Sequence, residues 1–256
     1  MSTPRKRQAS QLRRDVKDAP IIERETQILR IGPPDTAEEL TIYKDLLKRE
    51  PHFFNTICTT NTSPIHVLVE VPNHDFDVVK LYCHWLYSEQ TYSKQEHAAW
   101  ISQKATEFSL LIRAYAFGFS ASDIDSQDTI IDAIIEKTLV EHNPPASEMQ
   151  LFSNAVPRSC SARQFFVDLA AWDGTADMFT PGKGNLLDKS CLWHILHTMA
   201  TVRLAGGIFV PEDAPYYRNT CRYHEHTKDG QPCYIEGAEE RNKQTNGAIA
   251  KKEQTD

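Results

Sequence analysis

The segment from Ile65 to Val71 constrains the fold most. Ile65, Val67, Val69 and Val71 fall on one side and His66 and Glu70 on the other. This is the period-two pattern of a half-buried strand, and Pro72 closes it because proline has no N–H to give to a ladder. The period then changes within a few residues. Phe76, Val79, Tyr82, Cys83 and Leu86 share one helical stripe, widened by Val78, Leu81 and Trp85, so the helix is expected to be largely buried. Asn73 or Asp75 is placed to cap it, since a short side-chain oxygen accepts from an orphaned N–H of the first turn. A strand and a buried helix this close together need further elements to cover both.

Those elements read as follows. Gln27 to Ile31 alternates enough for a short strand, stopped by Gly32, Pro33 and Pro34, and Leu40 to Tyr43 suits a second. Lys44 to Ile57, broken by Pro51, reads as a helix, a bend and a further helical turn. Residues 88 to 106 are polar and read as a long loop. Helical periodicity resumes at Phe108 to Phe119, with Gly118 as a C-cap. It continues at Gln127 to Val140, Glu148 to Asn154, Ala162 to Trp172 and Leu187 to Leu204. The pattern is strands at the front and helices alone behind, too sparse in strands for a doubly wound sheet. The expected class is α+β, mainly helical: a helical cluster capped by a small sheet, with a helical C-terminal extension. The expected divisions are a disordered basic arm (1–25), a core domain (26–140), a helical extension with a Cys/His loop (145–236) and a disordered tail (237–256).

Charge narrows the partners. The net charge is -7, although the first fourteen residues carry five basic side chains (Arg5, Lys6, Arg7, Arg13, Arg14) and no acidic one. The acidic body repels a phosphate backbone, so nucleic-acid binding would fall to that arm alone. A nuclear regulator using the arm on DNA is therefore an alternative reading, and an import signal is another use for the same residues. No apolar stretch approaches the roughly 18 residues needed to span a bilayer, and no membrane partner is expected. The expected location is intracellular, nucleus or cytoplasm, with the six cysteines as reduced thiols and Cys58 and Cys83 as small core residues.

Motifs for chemistry are sparse. Pro181-Gly182-Lys183-Gly184-Asn185 lacks the phosphate-loop frame and reads as a turn. His224-Glu225-His226 lacks the i, i+4 histidine spacing of a zinc protease. Asp123 and Asp125 begin like a calcium loop, but Gln127 and Asp128 break it, leaving a capping cluster. With neither a nucleophile elbow nor a recognisable catalytic cysteine, no catalytic or cofactor-binding residue is assigned and no enzyme is expected. Cys221, His224, His226 and Cys233 offer four soft ligands on one loop, where zinc would act as a staple. The irregular spacing favours a loop with polar histidines and two quiet thiols, so no metal or cofactor is expected. A small metal-dependent enzyme built on this cluster is the other alternative.

A resemblance adds to this reading. Lys44-Asp45-Leu46-Leu47, Pro51-His52-Phe53-Phe54, Val69-Glu70-Val71-Pro72, Asp75-Phe76 and Trp85-Leu86-Tyr87 occur in that order. Leu110 to Ala116 and Ile130 to Glu136 follow them. Together they resemble the BTB/POZ family over about residues 26 to 140. Phe166-Val167-Asp168-Leu169-Ala170-Ala171-Trp172 extends the likeness toward the fungal BTB-domain group. Tyr43 stands where the family usually has histidine, and the 88–106 insertion exceeds its usual connection. The resemblance implies a non-enzymatic protein-binding module that dimerises with itself or another BTB protein. It also implies an adaptor role toward a cullin-type ubiquitin ligase, for which the 145–236 region would have to hold the target.

Overall fold

A computed structural model describes residues 26–44, 59–62, 67–93, 107–140, 146–180, 187–206, 211–230 and 233–235. Beyond Lys44 itself, the expected helix and bend from Lys44 to Ile57 lie outside them, as do the 181–185 turn, most of the long polar loop, both terminal segments, Phe53, Phe54 and Cys58.

Among the described residues four strands form one sheet in the order β2-β1-β4-β3: β1 (Thr26–Ile31), β2 (Glu38–Tyr43), β3 (Thr59–Thr62) and β4 (Val67–Val71). Strands β1 and β2 make an antiparallel hairpin, with Leu29 opposite Leu40. Strand β1 lies parallel to β4, and β3 pairs antiparallel with β4. The hairpin turns at Gly32, whose φ of 101° is open to glycine at little cost, and Gly32 N–H donates to Val71 O. Leu29, Ile31, Ile42 and Val71 bury their side chains, as the alternating pattern requires. Strand β3 was not expected from the sequence.

Behind the sheet come α1 (Phe76–Ser88), α2 (Glu107–Ser120), α3 (Ile124–Val140), α4 (Ala146–Ala155), α5 (Ala162–Trp172) and α6 (Lys189–Leu204). The fold is α+β and mainly helical, as expected. Asp75 caps α1 by accepting from Asp77 N–H, and the apolar stripe is buried from Val78 to Leu86. One buried cluster runs from Leu29 in the sheet to Tyr223 near the C-terminus, crossing the expected boundary at 140–145.

Two local expectations change. Gly118 does not end its helix: α2 runs to Ser120, and the left-handed residue beyond it is Ser122, with φ 57°. Space is tight at 118, where an added Cβ would lie 3.2 Å from Gln127 Cγ and 3.3 Å from Ser126 Oγ on α3, so either side chain would have to shift. Helix α3 also begins three residues before the expected Gln127, because Asp123 caps it, its Oδ1 accepting from Ser126 N–H at 2.9 Å.

Asp123 is 5% exposed and its Oδ2 accepts from Tyr82 Oη–H at 2.8 Å. Burial pushes its carboxyl from 3.8 up to about 6, against the opposing hydrogen bonds from Ser126 and Tyr82. A carboxyl whose folded pKa is raised favours folding while it is protonated. Its contribution is complete below pH 3.8 and is lost as pH rises through about 6. Asp123→Asn keeps the cap and removes the titration. The wild type is therefore expected to lose ~2 kcal/mol relative to this variant between pH 4 and pH 7. Urea denaturation across that range checks this, and parallel curves would contradict it.

Candidate metal centre

The C-terminal part of the extension is built from tight local turns. Pro215 starts the short helix α7 (Pro215–Arg218), where its missing N–H costs nothing. Asn219 Oδ1 then accepts from Cys221 N–H and caps a 3-10 turn, Thr220–Tyr223. His224 is extended, with its N–H donating to Cys221 O. One helical turn, α8 (His226–Asp229), ends at Gly230 in the left-handed region, φ 64°. Together the turns fold the segment back on itself.

The result brings together all four residues of the Cys/His loop. The ligand atoms of Cys221, His224, His226 and Cys233 all lie within 4.8 Å of one another. The two sulfurs are 3.9 Å apart, and Cys233 Sγ is 3.8 Å from His224 Nδ1. His224, His226 and Cys233 are buried and Cys221 is half-buried. Irregular spacing weighed against convergence in the sequence, but these turns make irregular spacing the one that converges.

Each histidine is oriented by a carboxylate. His224 Nε2 lies 3.0 Å from Asp132 Oδ1, and His226 Nδ1 lies 2.6 Å from Asp128 Oδ2. Asp128 and Asp132 sit one turn apart on α3 and so share a face. Asp128, fully buried, also accepts from the backbone N–H of Glu225 at 2.6 Å and of His226 at 3.4 Å. Asp132 Oδ2 accepts from Tyr234 Oη–H at 2.7 Å. With these contacts made, His224 has Nδ1 and His226 has Nε2 left for a ligand. Two thiolates and two imidazoles are donors suited to tetrahedral zinc.

Glu225 serves a different purpose from its histidine neighbours. Its Oε1 accepts from Tyr115 Oη–H at 2.9 Å and Ser161 N–H at 2.5 Å, and its Oε2 pairs with Lys228. Burial pushes the carboxyl up, but Lys228 and these hydrogen bonds prevail and hold it below its usual value. The glutamate thus ties the loop to α2 and to the start of α5, turned away from any protease-like role. Three tyrosines complete the attachment. Besides Tyr234, Tyr223 Oη–H donates to Asp168 Oδ2 at 2.8 Å, and Tyr216 Oη–H donates to Asp173 Oδ2 at 2.7 Å.

The aspartates that receive the loop were not identified from sequence as site residues. In the sequence Asp128 is marked only by its misfit to the calcium pattern. The available signal was a pair of carboxylates at i and i+4 among Ile130, Ile131, Ile134 and Ile135, and a lone Asp168 within Phe165-Phe166-Val167-Asp168-Leu169. Charges on apolar helix faces require buried partners.

A cavity of about 260 Å³ opens between α4, α5, α6 and the segment joining α4 to α5, lined by residues that include Cys160, Arg163, Cys191, His194 and, from the Cys/His loop, Arg222. Burial pushes both thiols up to about 11, so at neutral pH they are protonated and poorly nucleophilic. Among the described residues no helix is long and apolar enough to cross a membrane. No family model, curated protein or solved structure matches the chain.

Proposed function

We propose that the chain is a non-catalytic protein-binding module of the BTB/POZ type, associating with a second copy of itself or with another BTB chain. The observation that carries this reading is the packing of the segments bearing the resemblance. Strand β4 and helices α1, α2 and α3 follow one another in the family's order and contribute to one buried cluster with the β1–β2 hairpin. Trp85 and Leu86 of the W-L-Y segment, and Leu111, are buried, which suits structural roles for them. Tyr43, at the departure from the family pattern, sits edge-on to Tyr87, and its N–H donates to Tyr87 Oη. Among the described residues strand β2 forms one edge of the sheet, and Glu38, Glu39, Thr41 and Tyr43 are exposed along it. Such an edge can pair with a strand of another chain.

Sedimentation equilibrium of the full chain at micromolar concentration tests the proposal, and a dimer is expected. A monomer throughout, with no complex on titration with a purified BTB domain, would count against it. Binding of a purified cullin N-terminal domain to the dimer is the separate test of the adaptor role.

A further inference from the structure

We infer that Cys221, His224, His226 and Cys233 form a closed, structural zinc site that fastens the C-terminal segment onto the helical body. Tetrahedral zinc with Zn–S of about 2.3 Å and Zn–N of about 2.0 to 2.1 Å sets edges of about 3.8 Å between sulfurs and about 3.6 Å from sulfur to nitrogen. The 3.9 Å between the sulfurs and 3.8 Å from Cys233 Sγ to His224 Nδ1 lie close to those edges, and the whole set, within 4.8 Å, would close by about an ångström at its widest pair to hold the ion. A disulfide requires sulfurs at about 2.05 Å, so the cysteines approach as two ligands do, not as a cystine.

The surroundings point the same way. A ligating histidine ordinarily gives its second ring N–H to a carboxylate or carbonyl, which fixes the tautomer and the ring plane. Both histidines have such a partner, Asp132 for His224 and Asp128 for His226. Both carboxylates are in turn held, by Tyr234 Oη–H and by the Glu225 N–H. Two thiolates balance the charge of a divalent ion, and each imidazole N–H meets its own carboxylate. On binding, the two thiols release their protons to solvent as the sulfurs coordinate; no redox change is involved.

Four protein ligands with three of them buried leave no open position for water or substrate, which separates this site from a catalytic zinc. Its role follows from what it joins. The four ligands span a loop bonded to α3 by Asp128 and Asp132, to α5 by Tyr223, and to α2 by Glu225. Zinc therefore locks a segment that has little helix of its own onto three helices. This inference is independent of the association proposed above, since either can fail while the other stands.

The full chain, purified under reducing conditions without a metal-affinity tag, is the material for the test. Elemental analysis is expected to give about one zinc per chain. Replacement by cobalt should produce a thiolate-to-metal charge-transfer band and the intense visible bands of a tetrahedral ion. Removing the metal with a chelator should lower Tm by more than about 10 °C, restored by zinc alone. Cys233→Ser should lose the metal and Cys191→Ser should keep it. Because Cys233→Ser can misfold, the wild-type stoichiometry and cobalt spectrum decide. A folded chain that takes up neither zinc nor cobalt, or alkylation showing a Cys221–Cys233 disulfide, would overturn the inference. So would a five-coordinate cobalt spectrum with bound water, which would point to a catalytic site.

Discussion

Asp128→Ala is expected to destabilise the chain by about 3 to 5 kcal/mol, because one truncation leaves three donors without their acceptor. Asp128 is fully buried and accepts from Glu225 N–H, His226 N–H and His226 Nδ1. Water cannot replace the carboxylate without entering the contact between α3 and the loop. Each buried donor left unpaired costs about 1 to 3 kcal/mol, and the three share one cavity, so the costs do not simply add. Asp128→Asn should cost roughly half as much, because its carbonyl still accepts from Glu225 while its amide presents N–H to the imidazole. Urea denaturation, read as a shift in midpoint at unchanged slope, measures both. A loss below about 1 kcal/mol for the alanine variant would mean that the loop is not held through this residue.

How much of this was legible in the sequence differs by element. Helices α1 and α5 are legible because their burial is nearly complete and periodicity reports burial, and strand β4 is legible by its alternation, with Val71 buried and Glu70 half-buried at its end. Helix α5 matches its expected bounds, Ala162 to Trp172. Strand β3 is Thr-Thr-Asn-Thr, with no apolar alternation, and its pairing is supplied by β4 lying antiparallel beside it. Gly118 is ambiguous in the sequence because a glycine near a helix end has two uses, a left-handed cap or room for a neighbour. Only the position of α3 decides between them.

The candidate site was legible as a set of residue types and not as a site. Cys221, His224, His226 and Cys233 stood out by chemistry, but their convergence depends on a 3-10 turn and a left-handed Gly230, which spacing rules for helical or knuckle-type sites do not describe. The carboxylates that orient the histidines lie 92 and 98 residues away in the chain. No local pattern could connect them. What the sequence held was the complementary half of the problem, acidic residues on apolar faces of α3 and α5.

The same logic makes Phe165 the residue on which the attachment of the extension to its own aromatic core depends most. Its side chain is fully buried and meets three rings: Phe166 at 5.2 Å, Tyr216 at 5.7 Å and Tyr223 at 5.6 Å, all edge-on. Edge-to-face pairs add to the burial itself, and the surrounding rings are too rigid to collapse into the space left. Phe165→Ala is therefore expected to cost about 3 to 5 kcal/mol. Tyr216 and Tyr223 also carry the hydroxyls bonded to Asp173 and Asp168, so the loss should spread to the short turns around Cys221. Hydrogen exchange distinguishes local from global damage. Amides of residues 220–230 should gain exchange before those of α2 and α3, whereas uniform acceleration would show that Phe165 supports the whole core equally. Phe165→Leu, which restores most of the volume without the ring edges, should recover more than half of the loss.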